Sequence, residues 1–197
     1  MAPDFLHVNA VDYDPVHDRI VLSSLGFSEA WVIDHDTTTA EAAGPAGDLI
    51  YRWGNPQSYG PYDGPDQDFH GQHDVHWIPE GLPGAGDLLL FDNGPPGQTG
   101  PLSRAMQVTL PLDDDGDFTG FDGRWGPEAF AWAWPEPPTG EIASDQLGSA
   151  QRLENGHTLI CEGEHGRLIE VTAAGDVAWE WTNPIASDVA VAQGDVP

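Results

Sequence analysis

An all-β fold made of three copies of one four-stranded unit, the blades of an incomplete β-propeller, is predicted by three observations. Short apolar runs bounded by Gly, Asp, Asn or Pro recur in groups of four. A tight polar turn joins the first two runs of each group, and 24 Gly with 18 Pro supply heavy turn punctuation along the chain. The last run of every group ends in an aromatic alternation: Tyr51-Arg52-Trp53, Trp132-Ala133-Trp134 and Trp179-Glu180-Trp181.

The first group reads Val8 to Tyr13, a turn at Asp14 to Asp18, Arg19 to Ser23, Ala30 to Ile33, then Leu49 to Trp53. The second reads Asp74 to Ile78, a turn through Pro79 to Gly86, Asp87 to Phe91, Ala105 to Leu110, then Phe130 to Trp134, with longer loops at Asp92 to Arg104 and Asp113 to Glu128. The third reads Ala150 to Leu153, Glu154-Asn155-Gly156, His157 to Cys161, Arg167 to Val171, then Val177 to Trp181. Period-two patterning around an Asn-Gly turn is a hairpin signal, and a repeated four-strand unit is the signature of a propeller. A two-sheet sandwich is the alternative, but it does not require the same strand grammar three times. The 197 residues thus read as a single domain with blades near 7–56, 73–135 and 149–184.

Three blades do not close a ring, and an open arc leaves an unpaired edge at each end. The stretch Ile185 to Pro197 reads as the approach to a further blade. A truncated sequence is the simplest expectation, with self-association through the open edges as its alternative.

Eight Trp, seven Phe and four Tyr within 39% hydrophobic content suffice for a packed core. Against 33 Asp and Glu stand six basic residues, all Arg. A net charge of −27 repels nucleic acid and anionic membrane alike, which excludes both as partners. The carboxylates are spread through core-like segments and not gathered in a tail, the pattern of a halophilic, acidic protein whose self-repulsion is screened by salt. The one cysteine, Cys161, excludes an intrachain disulfide and, inside an apolar run, reads as a structural thiol. No run of about 18 apolar residues is present to span a membrane, and no signal peptide is visible after Met1.

The first strand of each blade lines the central channel of a propeller. Aligning His7-Val8-Asn9 with His73-Asp74-Val75 and Ser149-Ala150-Gln151 puts His7, His73 and Ser149 in one slot. Asn9 falls two residues on, facing the same way. Two imidazoles and a hydroxyl converging on one axis form a candidate catalytic constellation, with structural histidines as the bland alternative. In a regular strand His73 faces away from His70 and His76, so the three do not share a metal ion. Asp113 to Asp117 lacks the twelfth-position Glu of a calcium loop and reads as a solvated turn. Arg52 and Arg152 are the cations nearest the trusted strands, and alternation turns Arg152 outward.

The stretches His7 to Ser24, Trp31 to Gly44, Asp48 to Gly60, Gly71 to Gly94 and Ser149 to Thr172 resemble the arylsulfotransferase family, especially its shorter branch. The Gly71-Gln72-His73-Asp74 and Arg52-Trp53-Gly54-Asn55-Pro56 segments carry the most specific part of the likeness. The resemblance implies a six-bladed propeller whose channel moves a sulfuryl group from an aryl sulfate to a phenol. It makes His73 the nucleophile that becomes sulfohistidine, with His7 and Asn9 holding sulfuryl oxygens. Gln72, from the same Gln-His pair, and Ser149 are the accessory substrate-binding candidates. It also implies no 3′-phosphoadenosine donor, no metal and no cofactor, and a site of action outside the cytoplasm. Where the family carries an arginine after the Ser-Ser that ends the second strand, this chain has Leu25 after Ser23-Ser24. A further family histidine from an earlier blade would lie upstream of Met1. The rival reading is a non-catalytic propeller that binds a ligand or a protein across its channel.

Overall fold

The structure, a computed structural model, describes residues 4–60, 67–95, 102–114, 116–121, 124–136, 141–186 and 189–190. Twelve strands form three antiparallel four-stranded sheets, the blades of a β-propeller. Blade 1 is β1 (Val8–Asp14), β2 (Arg19–Ser24), β3 (Glu29–Asp34) and β4 (Leu49–Trp53) in that spatial order. Blade 2 runs β5 (His73–Trp77), β6 (Leu88–Asp92), β7 (Arg104–Val108), then β10 (Trp132–Trp134). A two-stranded pair, β8 (Gly120–Phe121) with β9 (Arg124–Trp125), interrupts it between β7 and β10. Blade 3 is β11 (Ser149–Arg152), β12 (Thr158–Glu162), β13 (Arg167–Val171) and β14 (Val177–Thr182). Beyond it Ile185–Ala186 pairs with Val189–Ala190; the rest of the expected approach to a further blade lies outside the described residues. No helix of the described residues is long and apolar enough to cross a membrane.

The burial pattern follows from stacking. Leu88, Leu89, Leu90 and Phe91 of β6 are all fully buried because blade 2 is covered on both faces. Its even positions pack with Val21, Val32, Tyr51 and Trp53 of blade 1. Its odd positions pack with Ala150, Ile160, Ile169 and Val171 of blade 3. An unbroken apolar run is what a doubly covered strand requires, and each such side chain contributes about 2 kcal/mol on burial. Blades 1 and 3 each cover one face only, so β2 and β12 alternate between buried and half-buried. On their outer sides Val11, Tyr13 and Trp179 are exposed.

The repeated tryptophans have a second use. Trp53 Nε1 donates to the carbonyl of Pro127, and Trp134 Nε1 donates to the carbonyl of Gly175, so the fourth strands of blades 1 and 2 each tie their blade to the next. Arginines are likewise spent inside the scaffold. Arg52 donates to both carboxylate oxygens of the buried Glu29, Arg104 to Asp92, and Arg167 to Glu162 and Glu180. Arg152, expected to point outward, is instead buried: its Nη2 donates to Gln107 Oε1 at 2.7 Å and its guanidinium lies over the Trp132 ring. Strand alternation places it on the same face as Ala150, toward blade 2, and that face is covered.

Candidate functional site

The inner strands do not start in phase. Strand pairing sets Ala10 opposite Ser23, His73 opposite Phe91 and Ser149 opposite Cys161, and these three partners are equivalent because each is the penultimate residue of its second strand. The common slot is therefore Ala10, His73 and Ser149. His7 does not belong to it, which corrects the alignment made from sequence. The cause is irregular backbone: the register shifts between Val8 and Ala10 and again between His73 and His76, with His7 and Asp74 in the left-handed region at φ 43° and 57°. Period two fails across such bulges.

Three residues before each slot stand His7, His70 and Gln146, and all three line one cavity of about 670 Å³. Leu25 and Pro95 give this cavity its apolar wall, and His73 reaches it as well. A second cavity of about 580 Å³ runs along the inner strands past Asn9, Asp12, His76 and Ser149. Among the described residues His73 alone lines both. His7 and His73 thus meet one space, whereas Asn9 and Ser149 face the other. The expected opposition of His70 and His73 does not hold either, since His70 precedes β5 and Gly71, at φ 59°, turns the chain between them. No group of three or more His, Cys, Asp or Glu among the described residues is arranged to hold a metal ion. In the Asp113 to Asp117 turn the Asp117 N–H donates to Asp113 Oδ1, while Asp115 lies outside the described residues.

Each histidine of the first cavity has a different setting. His7 is exposed and its Nδ1 donates to Asp4 Oδ2 at 2.7 Å. His70 is held by its backbone, whose N–H donates to Asp92 Oδ1 at 2.8 Å, and its ring has no hydrogen bond within the described residues. His73 Nδ1 lies 2.8 Å from Asn93 Oδ1 and 3.0 Å from the carbonyl oxygen of Gly71. Both oxygens only accept, so Nδ1 carries a proton, and in the neutral ring Nε2 is then the nitrogen with the lone pair. Asp145 is the single carboxylate among the lining residues, and none of the six Arg lines the cavity. In a chain of net charge −27 the lining is thus mostly imidazoles, amides and apolar groups, with one carboxylate.

Gln72 does not face either cavity. Its side chain is fully buried between blades, where Nε2 donates to Ser23 Oγ and to the carbonyl of Glu29, so the expectation that it touches substrate is corrected to an interblade clamp. Asn9 completes that clamp by donating Nδ2 to the Gln72 carbonyl at 2.8 Å, and its buried Oδ1 has no partner among the described residues. Ser149 pairs across the sheet with Cys161, whose thiol burial pushes to a higher pKa, consistent with a structural thiol. Burial also raises the pKa of Asp74, whose Oδ2 accepts from the Ala150 N–H. His70, Gln146 and Asn93 were not singled out from sequence as site residues. Aligning the blades on the ends of their second strands, Ser23-Ser24, Phe91-Asp92 and Cys161-Glu162, would have found the first two.

A family model described as arylsulfotransferase (ASST) matches residues 2–107. No curated protein matches the chain. Among solved structures, selenomethionine-substituted virginiamycin B lyase from Staphylococcus aureus is similar at 13% identity and TM-score 0.46, covering 93% of this chain and 43% of its own. A streptogramin B lyase follows at 10% identity and TM-score 0.40, covering 96% of this chain and 59% of that one. A protein of unknown function from Bacteroides caccae has 11% identity and TM-score 0.33, covering 88% of this chain and 60% of that one. The chain spans less than two thirds of the length of each.

Proposed function

This chain belongs to the arylsulfotransferase family, and from that premise we propose that it moves a sulfuryl group from an aryl sulfate to a phenolic acceptor through a sulfohistidine on His73, without a nucleotide donor. The observation that carries the reading is the first cavity, where His7, His70 and His73 meet beside an apolar wall of Leu25 and Pro95. An aryl ring suits that wall, and the sulfuryl oxygens suit the imidazoles.

Nε2 of His73 attacks sulfur, the N–S bond forms, the S–O bond breaks, and a phenolate leaves opposite the ring. His7, whose Nδ1 donates to a carboxylate, is the acid that protonates it. In the second half the acceptor phenol gives its proton to His7 and attacks sulfur along the line the first phenol left by; the new S–O bond forms as the N–S bond breaks, and its electron pair returns to Nε2 of His73. No electron changes hands. Charge spreads over three sulfuryl oxygens during transfer, and donors around them lower the barrier. Asn9 lines the second cavity beside His73, and in this reading it supports the nucleophile's strand by donating Nδ2 to the Gln72 carbonyl. In this reading the protein works in concentrated salt, which the dispersed carboxylates suit, and acts outside the cytoplasm.

One observation favours the rival reading of a binding module: Leu25, not an arginine, stands at the cavity. A chromogenic aryl sulfate with a phenol acceptor, assayed in high salt, separates the two. Phenol release by the wild type that His73→Ala abolishes is the expected result. Saturable binding of the aryl sulfate with no release by a folded wild type assigns the cavity to binding alone.

A further inference from the structure

We infer that Asn93 is the positioning residue of the site: it holds the His73 ring in the Nδ1–H tautomer, so that Nε2 faces the ligand with its lone pair free. The inference rests on the sulfuryl-transfer reading and names the group that readies its nucleophile.

A neutral imidazole carries its proton on one nitrogen or the other, and only the bare nitrogen can attack sulfur. Which one is bare depends on the hydrogen bond made by its partner nitrogen. Here Nδ1 of His73 donates to Oδ1 of Asn93 at 2.8 Å, the shorter of its two contacts, with the Gly71 carbonyl oxygen at 3.0 Å as the second acceptor. The Asn93 amide has one orientation available, because its Nδ2 donates to the carbonyls of Ser144 at 2.5 Å and Leu147 at 3.1 Å. Turning the amide over would set its oxygen against two carbonyls and its N–H₂ against the ring. Asn93 is buried at 4% exposure, so water does not replace these partners.

The anchor comes from the next blade. Ser144 and Leu147 lie on the stretch that leads into β11, and the Ser144 N–H donates to Ser103 Oγ at 2.9 Å at the head of blade 2. Stacking blade 3 on blade 2 therefore orients Asn93, and Asn93 orients the ring. The neighbouring residues of the same turn hold the other parts of the site. Asp92 binds the His70 backbone, and Gly94, at φ 85°, turns the chain away beside Leu102.

The choice of partner also differs from the rest of the molecule. Nδ1 of His7, His17, His35, His76, His157 and His165 lies within 4 Å of a carboxylate oxygen. Carboxylates favour the protonated ring, which has no lone pair. His73 is bonded instead to a neutral amide, which fixes the tautomer without adding charge.

The test uses the 197-residue chain with ¹⁵N-labelled histidine in high salt. Long-range ¹H–¹⁵N spectra of the neutral rings are recorded, with His73 identified by its loss in His73→Gln. In the wild type a protonated Nδ1 and a bare Nε2 are expected at His73. In Asn93→Ala, where only the Gly71 carbonyl is left to accept from Nδ1, the Nε2–H fraction rises measurably and phenol release falls with it, in the direction expected of a tautomer error. A wild-type ring protonated on Nε2 overturns the inference without needing any variant. An unchanged Nδ1–H signature in Asn93→Ala overturns it whatever the rate. A wild type that shows the Nδ1–H form, loses part of it in Asn93→Ala and yet releases no phenol upholds the Asn93 assignment and counts against sulfuryl transfer.

Discussion

Asp92 accepts from the backbone N–H of His70 through Oδ1 at 2.8 Å and from Nε of Arg104 through Oδ2 at 3.0 Å. One buried carboxylate thus fixes the place of a cavity imidazole and neutralises a guanidinium at the head of β7. Replacing it by Asn takes the ion-pair partner from the partly buried Arg104 guanidinium, a loss of about 1–3 kcal/mol. Urea denaturation of Asp92→Asn in high salt is expected to show that loss, and a midpoint equal to the wild type's would refute it.

His70 itself is tied to the fold by its main chain. His70→Ala is therefore expected to leave the urea midpoint unchanged while lowering phenol release about 10²-fold, the scale of losing one donor to a developing oxyanion. A variant with full activity would show that the ring takes no part.

Gly148 sits at φ 154°, and a Cβ there would come 2.3 Å from Cδ1 of Phe91, a fully buried ring between blades 2 and 3. Neither can yield, so Gly148→Ala is expected to destabilise by about 2 kcal/mol. The shift in urea midpoint measures it.

Asp68 is pushed by burial from 3.8 to about 6, with Arg124 and Arg104 pulling the other way. Its folded form holds the proton more tightly than its unfolded form. The contribution is fully present below the unfolded value and is lost as the pH rises through about 6. Asp68→Asn removes this dependence, so its stability relative to the wild type rises between pH 4 and pH 7. Urea midpoints of the two proteins at both pH values check the sign; a constant difference would show that Asp68 titrates normally.

Self-repulsion at a net charge of −27 sets the response to salt. The screening length falls from about 10 Å at 0.1 M to about 3 Å at 1 M. Urea midpoints are therefore expected to rise steadily with sodium chloride across that range, and a flat series would remove the case for salt adaptation.

The blade strands were legible because their signals are local. Asn155-Gly156 makes its hairpin turn with Gly156 at φ 84°, and the aromatic alternations of β4, β10 and β14 fall where expected. The register of the site was not. Bulges at Asn9 and at Asp74 each move the phase by one residue, and nothing in the adjacent residues announces a shift that packing against the neighbouring blade stabilises. Arg152 illustrates the same limit: alternation assigns its face, but whether a face is covered depends on a different sheet.

The twelve blade strands, their hairpin turns, the doubly buried Leu88 to Phe91 run and the extreme charge follow from residue types and their spacing, since turn preference and hydrophobic period act over a few neighbours, whereas the short pair β8 and β9 lies in a stretch that reads as a loop. Which histidines share a cavity, and which nitrogen of His73 is bare, follow from contacts between residues of different blades, such as Asn93 with Leu147. Those contacts form when sheets stack, and their geometry is set by the packing of whole blades.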